Sequence, residues 1–438
     1  MRHPFDIEVY RRRRQDLMHF MRDGVAIIPT AAHQPRNGDV LFPFRPDSDF
    51  YYLTHFPEPE AVAVLAPGRP EGEFLLFCRE KNPCAEAWDG RREGLEGARA
   101  HYGADQSFPI GELDKHLPPL LENRPKVFAT MGRYPDFDGE LIRWISAVRA
   151  RQRAGVHAPG EFVDLGHILH EMRVIKKKDE QKLMRDAVRL SAAAHRRAMR
   201  ATAPGVYEYQ IQAELECAFR LGGSEWPAYP SIVAGGENTC ILHYTENSRM
   251  LKDGDLLLID AGAELDCYAA DITRTFPVNG KFSDRQKAVY EIVLAAQKAA
   301  IAALKPDLPM NAYHDAATAV LTDGLLELGL LHGERNELIE TETCRRFTMH
   351  RIGHWLGMDV HDVGDYKIDD QWRLLEAGMV LTVEPGIYIT PADDVDDRWH
   401  NIGIRIEDDV LVTRAGNEIL SADAPKEIAD IEAWMAEA

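Results

Sequence analysis

Residues 178–412 run through one order of elements twice. A helical pattern reaching about Thr202 is stopped by Ala203-Pro204-Gly205, a second helix ends at Gly222-Gly223, and β-like segments follow to about Val278. Ser283 then opens a new helix with Gln286 three positions on, the pattern of a capping box. That helix ends near Pro306, another begins at Asn311, and β-like segments run from about Phe347 to Val412. The halves share no residue-level repeat, so the duplication is one of architecture. Two helix-helix-sheet halves lay their sheets side by side, and a site between them draws residues from both.

The rest of the chain forms something separate, because 438 residues exceed what one hydrophobic core organises. The first 165 residues alternate short β-like runs (VAIIPT, AVAVLAPG, EFLLFCRE) with helical stretches such as GELIRWISAVRARQRAG, the rhythm of an α/β domain. In EMRVIKKKDEQKLMRDAV an extended run leads into a charged helix start, which sets the expected boundary near residue 174: domains 1–174 and 175–438. Phe5 to Met21 reads as an amphipathic surface helix. Its four arginines, Arg11 to Arg14, precede DLMHFMRDG, too polar for the apolar part of an export signal.

A formal net charge of −20 repels a phosphate backbone, which argues against nucleic acid as a partner. No apolar run approaches the roughly 20 residues that cross a bilayer, so no membrane partner is expected. The six cysteines are scattered, with no CxxC pair; reduced thiols in a cytoplasmic protein are the simplest expectation.

The chemistry sits in carboxylates that the strand pattern buries. In LLLIDAGAELDCYAADITRTF, Asp260 ends one β-like run and Asp271 opens the next, so an antiparallel hairpin brings them together. In MVLTVEPGIYI, Glu384 follows an apolar strand, and in IGIRIEDDVLV, Glu407 lies among isoleucines and valines with Arg405 two residues before it. A buried carboxylate demands a cation, a metal or several donors; an Arg405–Glu407 pair is the plain structural alternative for Glu407. MHRIGHWLGMDVHDVG adds His350, His354 and His361. His350 and His354 are four apart, as on one face of a helix, yet Gly353 weakens any helix, so spacing leaves one or two imidazole ligands open. Four carboxylates with one or two imidazoles make a hard, oxygen-rich site suited to Mn²⁺, Mg²⁺ or Co²⁺. Two divalent ions nearly balance that charge, which points to a co-catalytic dinuclear hydrolase.

Five stretches in this order, ILHYTEN, LIDAGAELDCYAADITRTFPVNGKF, MHRIGHWLGMDVHDVG, LEAGMVLTVEPGIYI and GIRIEDDVLV, resemble the pita-bread metallopeptidases, and among them most closely the proline aminopeptidases. The likeness extends through DSDFYYLTHFPEPEAVAVLAPG and CAEAWDGRREG, and so covers nearly the whole chain. It implies an amino-terminal creatinase/prolidase-like α/β domain followed by a pita-bread catalytic domain with a curved antiparallel sheet. It implies Asp260, Asp271, His354, Glu384 and Glu407 as ligands of two Mn²⁺, with Co²⁺, Mg²⁺ or Zn²⁺ as other occupants. Asp271 and Glu407 would bridge the ions, and Glu384 would act as general base turned acid. His243, His361 and His350 would line the substrate site, with Arg405 and Tyr388 supporting the ligand shell and the proton path.

The implied reaction releases the first residue from peptides whose second residue is proline; the nearest rival is an Xaa-Pro dipeptidase. A non-catalytic peptide-binding module of this fold is more remote, because all five ligands are present. Trp88, in a polar loop, is implied to close the site of a neighbouring subunit in a homotetramer or homodimer, and Asp39 in RNGDV matches weakly as another residue approaching a neighbour. His167 and His170 in HILHE, and His314 in AYHDAAT, read as structural. Cys267, close to the ligands, is a candidate for sensitivity to thiol reagents.

Overall fold

The computed structural model describes residues 6–437, which separate into compact units of residues 6–172 and 173–437. In the first, six strands form one mixed sheet in the spatial order Gln106–Pro109, Phe74–Cys78, Val62–Leu65, Val25–Pro29, Lys126–Ala129, Glu161–Asp164. Val62–Leu65 pairs antiparallel with both of its neighbours, and the other three pairings are parallel. Val25, Ile27, Val64, Leu75 and Phe77 face helices through Leu117, Leu141 and Trp144, which makes this the expected α/β layer arrangement.

The expected amino-terminal helix spans Ile7–Met21, with Asp6 as its cap; Phe5 lies outside the described residues. It is less a surface helix than its charge suggests. Arg13 and Arg14 are buried, donating to the Tyr52 and Leu53 carbonyls at 2.9 and 2.8 Å and stacking on Tyr52 and Phe74. Guanidinium planes satisfied by carbonyls and aromatic faces are what makes an arginine tolerable there. Trp88 lies on a short helix, Pro83–Asp89, rather than in a loop: Asn82 caps it by accepting from the Cys84 and Ala85 amides, and Pro83 suits the first turn. Its indole is 89% exposed. Asp39 sits at the exposed turn between Pro35–Asn37 and Val40–Leu41.

The second unit shows the repeated order. Helices Lys178–Ala201 and Glu208–Leu221 precede an antiparallel sheet of Ile232–Gly235, Leu256–Asp260 and Thr273–Pro277. Helices Asp284–Ala303 and Ala312–Glu327 precede Val380–Val383, Gly386–Ile389, Ile402–Arg405, Asp408–Thr413 and Gly416–Ile419. The Ser283–Gln286 capping box is formed. One stretch departs from expectation: residues 347–364 form neither helix nor strand, although Trp355 and Leu381 make an isolated bridge. The two halves meet along Thr273–Pro277, where the Glu407 amide donates to the Thr273 carbonyl at 3.0 Å and the Arg405 amide to Thr275 Oγ1 at 3.2 Å.

Candidate active site

Five carboxylates and an imidazole converge at that seam. Asp260 is the last residue of its strand and stands opposite Thr273, while Asp271 lies two residues before the partner strand and not within it. A small hairpin, Glu264–Leu265 with Tyr268–Ala269, turns the chain between them through Asp266 and Cys267, both at positive φ. Asp271 is steered by its own amide, which donates to Asp409 Oδ2 at 3.0 Å across the seam. Glu384 follows Val380–Val383, and its amide donates to the Ile352 carbonyl at 2.7 Å. Glu407, in the turn between Ile402–Arg405 and Asp408–Thr413, accepts from Thr273 Oγ1 at 2.8 Å.

His354 reaches this cluster because the irregular segment runs against the strand Val380–Val383. The Thr382 amide donates to the His354 carbonyl at 2.9 Å, and the His354 amide to Thr382 Oγ1 at 3.2 Å. A Cβ at Gly353 would stand 2.0 Å from the Thr382 carbonyl oxygen, so the close approach requires glycine. The His354 ring gives Nδ1 to the Trp355 carbonyl at 2.9 Å. That bond assigns the proton to Nδ1 and leaves the Nε2 lone pair facing Asp271 Oδ2 at 3.5 Å and Glu384 Oε1 at 3.6 Å.

Arg405 does not pair with Glu407. Its Nη2 donates to Asp260 Oδ2 at 2.6 Å, Nη1 to the Tyr388 hydroxyl at 2.8 Å, and Nε to Thr273 Oγ1 at 3.2 Å. Because Arg405 can only donate, the Tyr388 proton is free for His350 Nε2, 2.7 Å away, and His350 Nδ1 faces the Arg351 carbonyl at 2.7 Å. Both ring nitrogens of His350 are thus engaged within the protein. His361 is exposed and meets His354 edge to face at 4.3 Å; His243 is exposed on the loop after the short helical turn Gly236–Cys240. Beneath them Asp362 is buried, accepting from Arg173 Nη2 at 2.6 Å and Lys176 Nζ at 2.8 Å, while its amide donates to the Trp355 carbonyl that also receives His354. His170 and His314 stand apart, near Asp49 and Glu342 respectively.

Donor atoms of Asp271, His354 and Glu407 all lie within 4.8 Å of one another. Burial and the neighbouring Asp260 charge push the Asp271 carboxyl well above the usual carboxylate range, and burial with Asp271 and Glu384 does the same to Glu407. Burial would raise Asp260 too, but Arg405 and Tyr229 outweigh it and hold this carboxyl below its ordinary value. Tyr229 exposes the imbalance. Its hydroxyl touches Asp260 Oδ1 at 2.6 Å and Asp271 Oδ1 at 2.5 Å, but one O–H proton serves only one carboxylate. Acidic oxygens crowded this closely, with a lone pair of His354 aimed among them, fit divalent cations. Tyr229, Thr273 and Asp409 do not stand out as site residues in the pattern of carboxylates and histidines. Tyr229, between two prolines in PAYPS, carries no such signal, whereas the EDD run at 407–409 does mark Asp409.

An α/β amino-terminal unit, a duplicated seam and a buried carboxylate–imidazole cluster define a metal-dependent peptidase. The chain belongs to metallopeptidase family M24, whose model matches residues 182–414, and the aminopeptidase P N-terminal domain matches residues 10–128. Several of its full-length relatives are Xaa-Pro aminopeptidases. The enzyme of that name from Haemophilus influenzae is 43% identical over 98% of this chain and 97% of its own. Among solved structures, aminopeptidase PepP of Pseudomonas aeruginosa superposes with a TM-score of 0.98 at 54% identity, covering 99% of this chain and 98% of that one. Proline aminopeptidase P II of Yersinia pestis does so with a TM-score of 0.96 at 44% identity, covering 99% and 100%. The fold is therefore the pita-bread metallopeptidase fold, and full-length similarity favours an aminopeptidase over a dipeptidase.

Proposed function

We propose that this chain is an Xaa-Pro aminopeptidase, working with two divalent ions, of which Mn²⁺ best suits the donor set, held by Asp260, Asp271, His354, Glu384 and Glu407. The observation that carries the reading is the approach of Asp271, His354 and Glu407 within 4.8 Å, with both carboxyls raised for want of a cation. Ions bound there supply Lewis acidity, lowering the proton affinity of water and polarising a carbonyl.

The protein's own groups do the rest. Glu384, with Oε1 beside His354 Nε2, accepts a proton from the attacking water and passes it to the departing proline nitrogen. His361 and His243, exposed beside the ligand cluster, donate to the carbonyl oxygen as negative charge develops there. Burial lowers the basicity of His361, which suits it to act as a neutral N–H donor. His350 fixes Tyr388 and, through it, Arg405, so that Asp260 keeps its orientation. The Xaa-Pro bond is a tertiary amide without an N–H, so selection rests on a pocket shaped for the pyrrolidine ring.

The amino-terminal domain, set in our reading at 1–174, serves oligomerisation and active-site closure, with Trp88 offered to a neighbouring subunit in a homotetramer or homodimer. Trp88's 89% exposure supports this. Six free cysteines support a reducing, cytoplasmic setting. The test is hydrolysis of Xaa-Pro and Xaa-Pro-Yaa peptides with Mn²⁺ present. Cleavage of the tripeptide between Xaa and Pro is expected; cleavage of dipeptides alone would overturn the reading in favour of a dipeptidase.

A further inference from the structure

Outside the ligand cluster, Glu208 is a fully buried carboxylate on which four donors converge. It is the first residue of the helix Glu208–Leu221. Oε1 accepts from the Gly235 amide at 2.7 Å and from Asn238 Nδ2 at 3.1 Å, while Oε2 accepts from the Tyr244 hydroxyl and the Arg249 amide, both at 2.8 Å. The Glu208 amide returns a bond to the Arg249 carbonyl at 3.0 Å. A carboxylate hidden from water needs donors. Here all of them belong to residues 235–249, the end of one strand and the loop that follows it.

That loop carries His243. Its neighbours Leu242 and Tyr244 pack inward with Cys240, Leu258 and Tyr388, which leaves His243 exposed between them. The same helix holds the far side of the loop through Asn247, which is buried and at positive φ. Asn247 Nδ2 donates to Gln212 Oε1 at 2.9 Å and to the Ser231 carbonyl at 2.8 Å, and its Oδ1 accepts from the Val233 amide at 2.9 Å. Glu208 and Gln212 are four apart and share a helix face. The short helical turn before His243 is fastened to the second half of the unit, where the Gly403 amide donates to Thr239 Oγ1 at 3.0 Å. His243 is near enough to His361 for its charge to bear on that ring. The backbone on both sides of this imidazole is therefore fixed from beneath by one acid.

We propose that Glu208 is the positioning residue for His243, setting where that imidazole meets the substrate's carbonyl oxygen; this rests on the reading of His243 as a donor to that oxygen. A glutamine keeps the shape of Glu208 but offers a single acceptor oxygen and turns an amide NH₂ towards donors, so one side of the clamp opens. A displacement of about 1 Å near the reacting atoms costs up to about 100-fold in rate. Because His243 acts as charge develops, the loss falls on kcat and leaves KM in place.

A double-mutant cycle on the Mn²⁺-loaded enzyme tests this, with release of the first residue from an Xaa-Pro-Yaa peptide as the readout. Glu208→Gln is expected to lower kcat about tenfold at unchanged KM. When His243 is already alanine, the same change is expected to cost less than about twofold. Tyr244→Phe removes only the bond beside His243; it is expected to give the same pattern at about threefold, and it carries the test should Glu208→Gln fail to fold. An equal loss of kcat in both backgrounds, or loss of bound Mn²⁺ from the Glu208→Gln protein, would overturn the proposal. A His243→Ala enzyme as fast as the parent would remove the role of His243 and the proposal with it, leaving the dinuclear reading standing. A parent that cleaves no Xaa-Pro-Yaa peptide would overturn the aminopeptidase reading and the proposal together.

Discussion

Arg405 and Asp260 meet Nη2 to Oδ2 at 2.6 Å across the seam between the two halves of the second unit, one residue from each repeat. The pair is buried, and the same guanidinium also holds Tyr388 and Thr273. A lysine keeps the charge but not the planar fork that serves three acceptors. Arg405→Lys is expected to lower kcat or metal affinity by about 10- to 100-fold. Arg405→Ala is expected to destabilise the fold by about 3 kcal/mol, because Asp260 is left charged and without its partner. Steady-state kinetics with metal titration check the first, and urea unfolding the second.

Asp271 and Glu407 predict proton release. With folded carboxyls raised above their unfolded values, the metal-free native state holds a proton that the unfolded chain lacks. Its stability is therefore fullest below the ordinary carboxylate range and is lost as pH rises through the raised values. A divalent cation takes the place of that proton. Calorimetric titration with Mn²⁺ in buffers of different ionisation enthalpy should show protons released on binding, and the melting temperature of chelated protein should fall more than that of the loaded protein as pH rises above the ordinary carboxylate range.

The sequence was most legible where it contradicted itself. A carboxylate after four leucines and isoleucines, as at Asp260, or among isoleucines and valines, as at Glu407, breaks the strand pattern so sharply that a site follows. The helix ends were legible for the same local reason: Ser283 with Gln286, and Gly222 after Leu221, are signals carried by neighbouring residues. Non-local structure was hidden. Residues 347–364 looked β-like because they are apolar and β-branched in places, yet their backbone is fixed by Thr382 and Asp362 rather than by a strand partner along their length. Arg13 and Arg14 looked solvated because nothing nearby announces the Tyr52 and Leu53 carbonyls. Tyr229 became visible only once the carboxylates it bridges were in place.

Gly353 weakens any helix, but its role in the structure is close contact. Gly353→Ala places a methyl 2.0 Å from the Thr382 carbonyl oxygen, so the segment bearing His354 must move away from the Val380–Val383 strand. We expect a loss of about 2 kcal/mol in stability and weaker metal binding, read by thermal unfolding with and without Mn²⁺.

His195 sets an acid limit. It is fully buried, with Nε2 2.9 Å from the Ala261 carbonyl, and burial pushes its pKa down to about 4. The unfolded chain, with a histidine pKa near 6.5, binds the proton first, so stability is full above about 6.5 and is lost as pH falls towards 4. The contribution is about 3 kcal/mol by the free energy of that shift. In the presence of chelator, His195→Gln should flatten the fall in stability over this window relative to the parent.

The central claim is a pair of divalent ions at the seam, and one titration tests it: chelated protein is reconstituted with Mn²⁺ while release of the first residue from an Xaa-Pro-Yaa peptide is followed. The account predicts no measurable hydrolysis before metal is added and a rise that levels off at two equivalents per chain. Full activity in metal-free protein, or saturation at one equivalent, would contradict it.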